Sequence, residues 1–291
     1  MAALNSPLRT ERMRLWQDGI FAAIGWSAGL LGFMLPISIV VFLFYRGAAA
    51  ITWDLLWQSP RGFPLGSSGG IRPAIEGSLA LVVIGLTVSL PLAVGGAIYL
   101  TEYSASNRLR RTASFCAECL AGVPAIVYGL FGYSFLVVFL GMRTSLLAGG
   151  ITLGLVMLPI ILVGAYEALR AVDAKYRESA LALGVSRLYA FRKNVWPKGR
   201  AGLMAAVVLA AGHAFGSAAP VLLTASVVIA RSGLDLSSPV MTLPSHLYYL
   251  VSEASALEQA YATALILVAL LLTANFSVMV IRSRQERWSS R

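Results

Sequence analysis

His213 is the one His, Asp, Glu, Lys or Arg inside the apolar windows of this 291-residue chain; it stands in the run AGHAFGSAAPVLLTA, residues 211–225. An ionisable group at membrane depth is expensive, so it either marks a substrate path or is held neutral by a hydrogen bond. Ser217, one helical turn on, offers a neutral imidazole such a partner. Both readings stand: a packing pair, or part of a polar path. Cys116 and Cys119 are spaced C-x-x-C, but no second pair and no nearby His accompanies them. They read as packing thiols rather than a metal or redox centre. The sequence contains no G-x-x-x-x-G-K-[ST] phosphate loop, no H-E-x-x-H and no G-x-S-x-G. No enzyme is expected, and no cofactor bound by this chain. Energy for uphill movement would have to come from an ion gradient or another subunit.

A second patterned run is ESALALGVSRLYAFRKNVWP, residues 178–197. From Glu178 through Ala180 to Leu183 it is good helix material. Gly184 ends that run and permits a bend that a side chain resists. Ser186 is placed to cap a second short helix. That helix presents Leu188, Tyr189 and Phe191, followed by Arg192 and Lys193, and Pro197 stops it before the next apolar window. Exposed apolar groups rimmed by charge mark a partner surface.

The elements that must position these residues follow from composition. Hydrophobic residues make up 58% of the chain, charged residues 12%, and the mean hydropathy is +0.76. Six windows lack Asp, Glu, Lys and Arg: 19–45, 77–101, 119–142, 144–166, 201–230 and 259–281. Each exceeds the roughly 20 residues that a membrane-crossing helix needs. None alternates with period two, as a membrane barrel strand would. The expectation is an all-α integral membrane protein with six transmembrane helices. The first window is too long for a signal h-region and no cleavage site follows it, so it is read as a retained span. The division expected is a tail over 1–18, a first span over 19–46, a loop over 47–76, a core over 77–281 with a loop at 167–200, and a tail over 282–291.

Eighteen of the 23 Lys and Arg fall on one side of these spans: before the first, between the second and third, over 170–200, and after the last. The base-rich side is the cytoplasmic one, which puts both termini and the 178–197 run inside. The net charge of +10 is then a topological bias plus attraction to lipid, with no nucleic-acid partner expected. Arg46, Arg72 and Arg231 near the outer face are lipid anchors or attract an incoming anion. The segment 231–258, with Tyr248 and Tyr249, is expected to form a short helix at the outer interface. Pro91, Pro124 and Pro220 interrupt their spans. Gly122 and Pro124, followed by Tyr128, give one span a flexible start with a polar ring inside it; this is a gate or path wall, or a packing kink.

The 178–197 run resembles the E-A-A–x3–G–x9–[IV]-x-L-P loop of ABC-importer permeases. Glu178, Ala180, Gly184 and Pro197 match; Ser179, Asn194 and Trp196 depart from it. In that family the loop forms the coupling helix, which docks into a cleft on a cytoplasmic ATPase. GGIRPAIEGSLALV (69–82), PLAVGGAIYLTEY (91–103), AGVPAIVYGLFGY (121–133) and MTLPSHLYYLVSEA (241–254) resemble the A-type membrane subunit of the phosphate-uptake permeases. Those permeases read A-R-A-x-G-E-T-A-P where this chain has His213 at the arginine and Ser217 at the glutamate; Gly216, Ala219 and Pro220 match. The resemblance implies the type I ABC-importer permease fold in a bacterial inner cell membrane. It also implies a second homologous permease subunit, two cytoplasmic ATPase subunits that use the ATP, and an extracytoplasmic phosphate-binding protein. The alternatives are an importer of another oxyanion, such as molybdate or sulfate, and a secondary transporter without an ATPase. The latter class usually shows midplane charges and inverted repeats, of which only His213 is present here.

Overall fold

The structure, a computed structural model, describes residues 6–61, 68–104, 106–227, 234–252 and 256–289, with side chains over 17–61, 69–104, 106–227, 234–252 and 256–276. Arg231 and the middle of the 59–70 stretch lie outside these residues. So do the side chains of the terminal bases.

Helix α1 (Ser6–Gly47) is followed by a short helix α2 (Trp53–Trp57), which Thr52 caps through Leu55 N at 3.2 Å. A two-residue hairpin, β1 (Pro60–Arg61) against β2 (Ser68–Gly69), leads to α3 (Arg72–Ile98). Then come α4 (Asn107–Ala121), α5 (Ala125–Gly132), α6 (Leu146–Arg170), α7 (Lys175–Ala182) and α8 (Arg187–Ala190). The chain ends in α9 (Trp196–Gly216), α10 (Ala218–Thr224), α11 (Leu243–Ser252) and α12 (Leu257–Ser289). Three π-helical stretches extend α3 to Tyr103, extend α5 to Phe139 and join α8 to α9.

Among the described residues five helices are long and apolar enough to cross a membrane, and the pair α4 and α5 makes a sixth if counted as one span. The all-α expectation holds. Four boundaries differ from it. The 119–142 window is two helices meeting at 92°. A residue before proline is disfavoured in the helical region, and α4 ends at Ala121 with Gly122 as its cap before a new helix starts at Ala125. The fifth span is Arg187–Gly216, not 201–230: it begins upstream and ends where Ser217 adopts ψ 95°. Pro220 is not the break, since it falls in the first turn of α10, where a missing N–H costs little. Pro91 likewise sits within α3 without ending it. At the ends, the loop region 47–76 gives its last residues to α3, and α12 runs past 281 to Ser289.

The core is the crossing of α3 and α6, with α9 on its other side. Gly85 and Gly154 make the crossing close: a Cβ on Gly154 would meet Gly85 O at 3.0 Å. Without a hydrophobic drive between helices in lipid, small residues that let backbones approach supply the packing energy. Leu81, Leu153, Met157, Ile161, Ala210 and Val221 fill the space around the crossing. The start of α6 is buried and needs partners for its free N–H groups. Ser145 Oγ accepts from Ala148 N at 3.2 Å, while the carbonyls of Ser238 and Leu236 accept from Leu146 N at 2.9 Å and Leu147 N at 3.0 Å. Helix α11 is pinned to α3 where Leu243 N donates to Ser78 Oγ at 2.9 Å. Helix α1 stands apart: its described side chains are exposed over nearly its whole length, and it meets the rest at α12, where Phe42 lies edge-on to Tyr261 at 5.6 Å.

Candidate coupling surface and membrane path

Between α6 and α9 the chain folds as helix, bend and short helix. Asp173 Oδ1 accepts from Lys175 N at 3.0 Å at the start of α7. Gly184 has φ +74°, the left-handed conformation that terminates α7 without strain only for glycine. Ser186 Oγ then accepts from Tyr189 N at 3.3 Å and caps α8. Glu178, Leu188, Tyr189 and Arg192 are exposed, as expected, and Ala180 is buried beneath them. Phe191 is not on this surface. It is buried, 6.0 Å from the Trp196 ring, in the cluster that also holds Leu169 and Val195. Nor does Pro197 stop the chain: it occupies the first turn of α9, which follows α8 without a break. The wide turn of residues 191–195 explains this, because a proline ring collides with the carbonyl four residues back in a regular helix. The result makes α8 the rigid foot of a span rather than a loop element.

Two apolar residues that the sequence reading did not single out complete the surface. Leu183 is 83% exposed at the bend and Leu181 is also exposed. Helix termination puts them there: Leu183 lies one residue before the left-handed glycine, where the chain leaves its own packing.

The residue that fixes this surface to the membrane helices was missed altogether. Arg177 on α7 reaches Glu102 at the end of α3, with Nη2 to Oε1 at 2.8 Å and Nε to the two carboxylate oxygens at 2.9 and 3.2 Å. The same guanidinium donates to Val172 O and Leu169 O, both at 2.8 Å, at the end of α6. A planar fork with five donors can hold a carboxylate through two of its nitrogens and two helix-end carbonyls at once; a lysine, with three donors on one atom, cannot hold the carboxylate in that way as well. The Glu102 side chain is 8% exposed and that of Arg177 21%. One side chain thus ties α7, α3 and α6 together. A weak signal existed: Glu102 is the first charged residue after an apolar window and Arg177 directly precedes the matched Glu178, but 75 residues separate the pair. Asn194 Nδ2 to Tyr176 O at 3.3 Å and Lys198 Nζ over the Tyr176 ring at 4.1 Å add to the clamp.

The residues assigned to a membrane path divide into two places. Gly122 and Pro124 form the bend between α4 and α5, and Tyr128 OH donates across it to Leu120 O at 2.8 Å. Leu120 O also accepts from Val123 N at 3.0 Å, so the hydroxyl adds a second donor that fastens α5 across the bend. One residue on, Gly129 packs on α10, where an added Cβ would come within 2.8 Å of Pro220 Cα. So Gly122, Pro124 and Tyr128 stand together at the α4–α5 bend, while Pro220 packs on α5 further along, at Gly129. His213 and Ser217 part company. Ser217 is buried and its hydroxyl donates to His213 O at 2.8 Å, so the expected imidazole-to-serine bond is not formed. The His213 side chain is exposed, on the same face of α9 as Leu209 and Gly216. A polar ring there looks away from this chain's own core. Cys116 and Cys119 are exposed on α4.

A bundle of apolar helices around a glycine crossing, with a bent span and a clamped helix–turn–helix foot, defines the type I ABC-importer permease class. The solved bacterial alginate ABC transporter, in complex with a periplasmic protein bound to an alginate pentasaccharide, contains a chain with this fold: TM-score 0.60, 14% identity, 92% of this chain and 93% of that one covered. The family of binding-protein-dependent transport system inner membrane components matches residues 89–291, and the chain belongs to it. It is therefore a transport component, multi-pass in an inner membrane, and not an enzyme. Among relatives, the phosphate transport system permease protein PstA 2 of Mycobacterium bovis is 30% identical over 298 residues, covering 100% of this chain and 95% of the relative. The probable ABC transporter permease protein YqgI of Bacillus subtilis is 26% identical, with 82% of each covered.

Proposed function

We propose that this chain is one of two membrane subunits of an ATP-driven importer of inorganic phosphate, and that residues 175–197 are the part that a cytoplasmic ATPase moves. The single observation behind this reading is the Arg177 clamp under an exposed apolar surface. Leu183, Leu188 and Tyr189 offer a partner something to hold. Arg177 passes that pull to α3 and α6, and the unbroken α8–α9 passes it to the fifth span. Phosphate as cargo is supported by the PstA relatives and by the quoted motifs.

The remaining parts follow the family's plan: a second homologous permease, two ATPase subunits that consume the ATP, and an extracytoplasmic phosphate-binding protein. Closure of the ATPase pair draws the two feet together and turns the bundle outward, where the binding protein releases its anion. Hydrolysis resets it. With both termini inside, the foot is cytoplasmic, as the distribution of bases requires. His213 faces the second subunit or the path between the two, and the bend at Gly122–Pro124 lets α5 pivot on α10 during the change. The experiment is uptake of labelled phosphate into vesicles holding the permease pair with ATPase and binding protein. Uptake that needs ATP and all four components supports the reading. Uptake that proceeds without the ATPase, or that only sulfate or molybdate competes for, contradicts it.

A further inference from the structure

One face of α4, carrying Asn107, Arg110, Arg111 and Ser114, looks across a cavity of about 580 Å³ at Tyr166 and Arg170 on the last turn of α6; Glu118 and Glu167 also border it. None of the three arginines is in an ion pair: among the described residues the two pairs are Arg72–Glu76 and Arg177–Glu102. Arg110 Nη2 donates to Asn107 Oδ1 at 2.9 Å, but its Nε is buried without an acceptor. Arg170 lies over the Tyr166 ring at 5.9 Å, which holds it against the wall. Arg111 and Arg170 are exposed beside Arg110 with no carboxylate partner, and a guanidinium fork matches the oxygens of a phosphate group. Three guanidiniums against two carboxylates leave one net positive charge, which suits a singly charged phosphate.

We propose that this cavity binds a singly charged phosphate group at the inner face of the membrane, supplied by an anionic lipid headgroup or by free phosphate. Its occupant bears on coupling, because Arg170 follows Leu169, whose carbonyl Arg177 holds. The inference rests on the inward placement of this end of the bundle and not on which anion is imported.

The test uses the complex of both permease subunits with the ATPase pair, without binding protein or nucleotide. It is placed in nanodiscs of phosphatidylcholine alone or with phosphatidylglycerol. Retention of labelled orthophosphate is measured in the first, and retention of phosphatidylglycerol by native mass spectrometry in the second. One of the two is expected to bind saturably to the wild type, and about ten-fold more weakly to Arg110→Gln and to Arg170→Gln. Orthophosphate binding identifies the free anion, and retained phosphatidylglycerol the headgroup. The variants lie on separate helices, so one that fails to assemble leaves the other to decide. Binding of neither ligand to the wild type, or equal binding by an assembled variant, overturns the proposal. Wild-type uptake, measured separately, reports on the cargo alone.

Discussion

Arg177 ties α7 to α3 and α6, and its removal has a definite consequence. Arg177→Ala leaves the Glu102 carboxylate buried without a counter-charge, so it is expected to cost about 3 kcal/mol. Thermal melting of the purified complex reads this out. The Arg177→Ala, Glu102→Ala double variant should lose less than the sum of the two single changes, by about 1 kcal/mol or more. Gly184 acts through its backbone. Its Cβ position is open, so Gly184→Ala meets no clash and pays only for φ +74°, about 1–2 kcal/mol. The bend then opens, and uptake per ATP hydrolysed should fall while the subunits stay assembled. His246 sets a pH limit. Burial on α11 pushes its imidazole down from 6.5 to about 4. The unfolded chain takes up a proton below pH 6.5 while the folded one does not until about 4. Stability is therefore unaffected above 6.5 and falls as pH drops through that window, by up to about 3 kcal/mol. In His246→Gln this part of the acid sensitivity should vanish, as chemical denaturation at pH 7 and pH 4.5 measures.

At the scale of elements, the bend between α4 and α5, set by Pro124, is braced by one side-chain bond across it. Tyr128→Phe removes the donor to Leu120 O and should lower stability by about 1 kcal/mol. Faster amide exchange over residues 120–128 checks that the loss is local. The existence of the apolar helices was legible from charge-free windows, because lipid demands long uncharged runs. The helix–bend–helix foot was also legible, since Gly184 and Ser186 act within a few residues of themselves. Longer-range geometry was not. Pro91, Pro124 and Pro220 look alike as letters, yet only Pro124 ends a helix here. Neighbours decide: Gly122 precedes the one, while α10 has barely begun at the other. Phe191 reads as exposed from its place in the run; the π-turn rotates it into the core. Arg177 with Glu102 is a tertiary fact that no local pattern carries.

The whole molecule is incomplete in a directed way. Helix α1 exposes Trp26, Phe33 and Tyr45, and α5 with its extension exposes Phe131, Phe135 and Phe139 as a stacked row. Lipid or a second subunit must cover such faces, since apolar patches of this size are not left in water. The foot is different: it lies at one end of the bundle, carries charge around its leucines, and is clamped to α3 and α6 through Arg177. Force transfer through this foot is tested by ATP-driven phosphate uptake in vesicles containing the complete complex with Leu183→Glu and Leu188→Glu together. The permease pair is expected still to form, the ATPase no longer to stay with it, and uptake to fall to the level without ATP. Uptake at the wild-type rate with the ATPase still attached would contradict it.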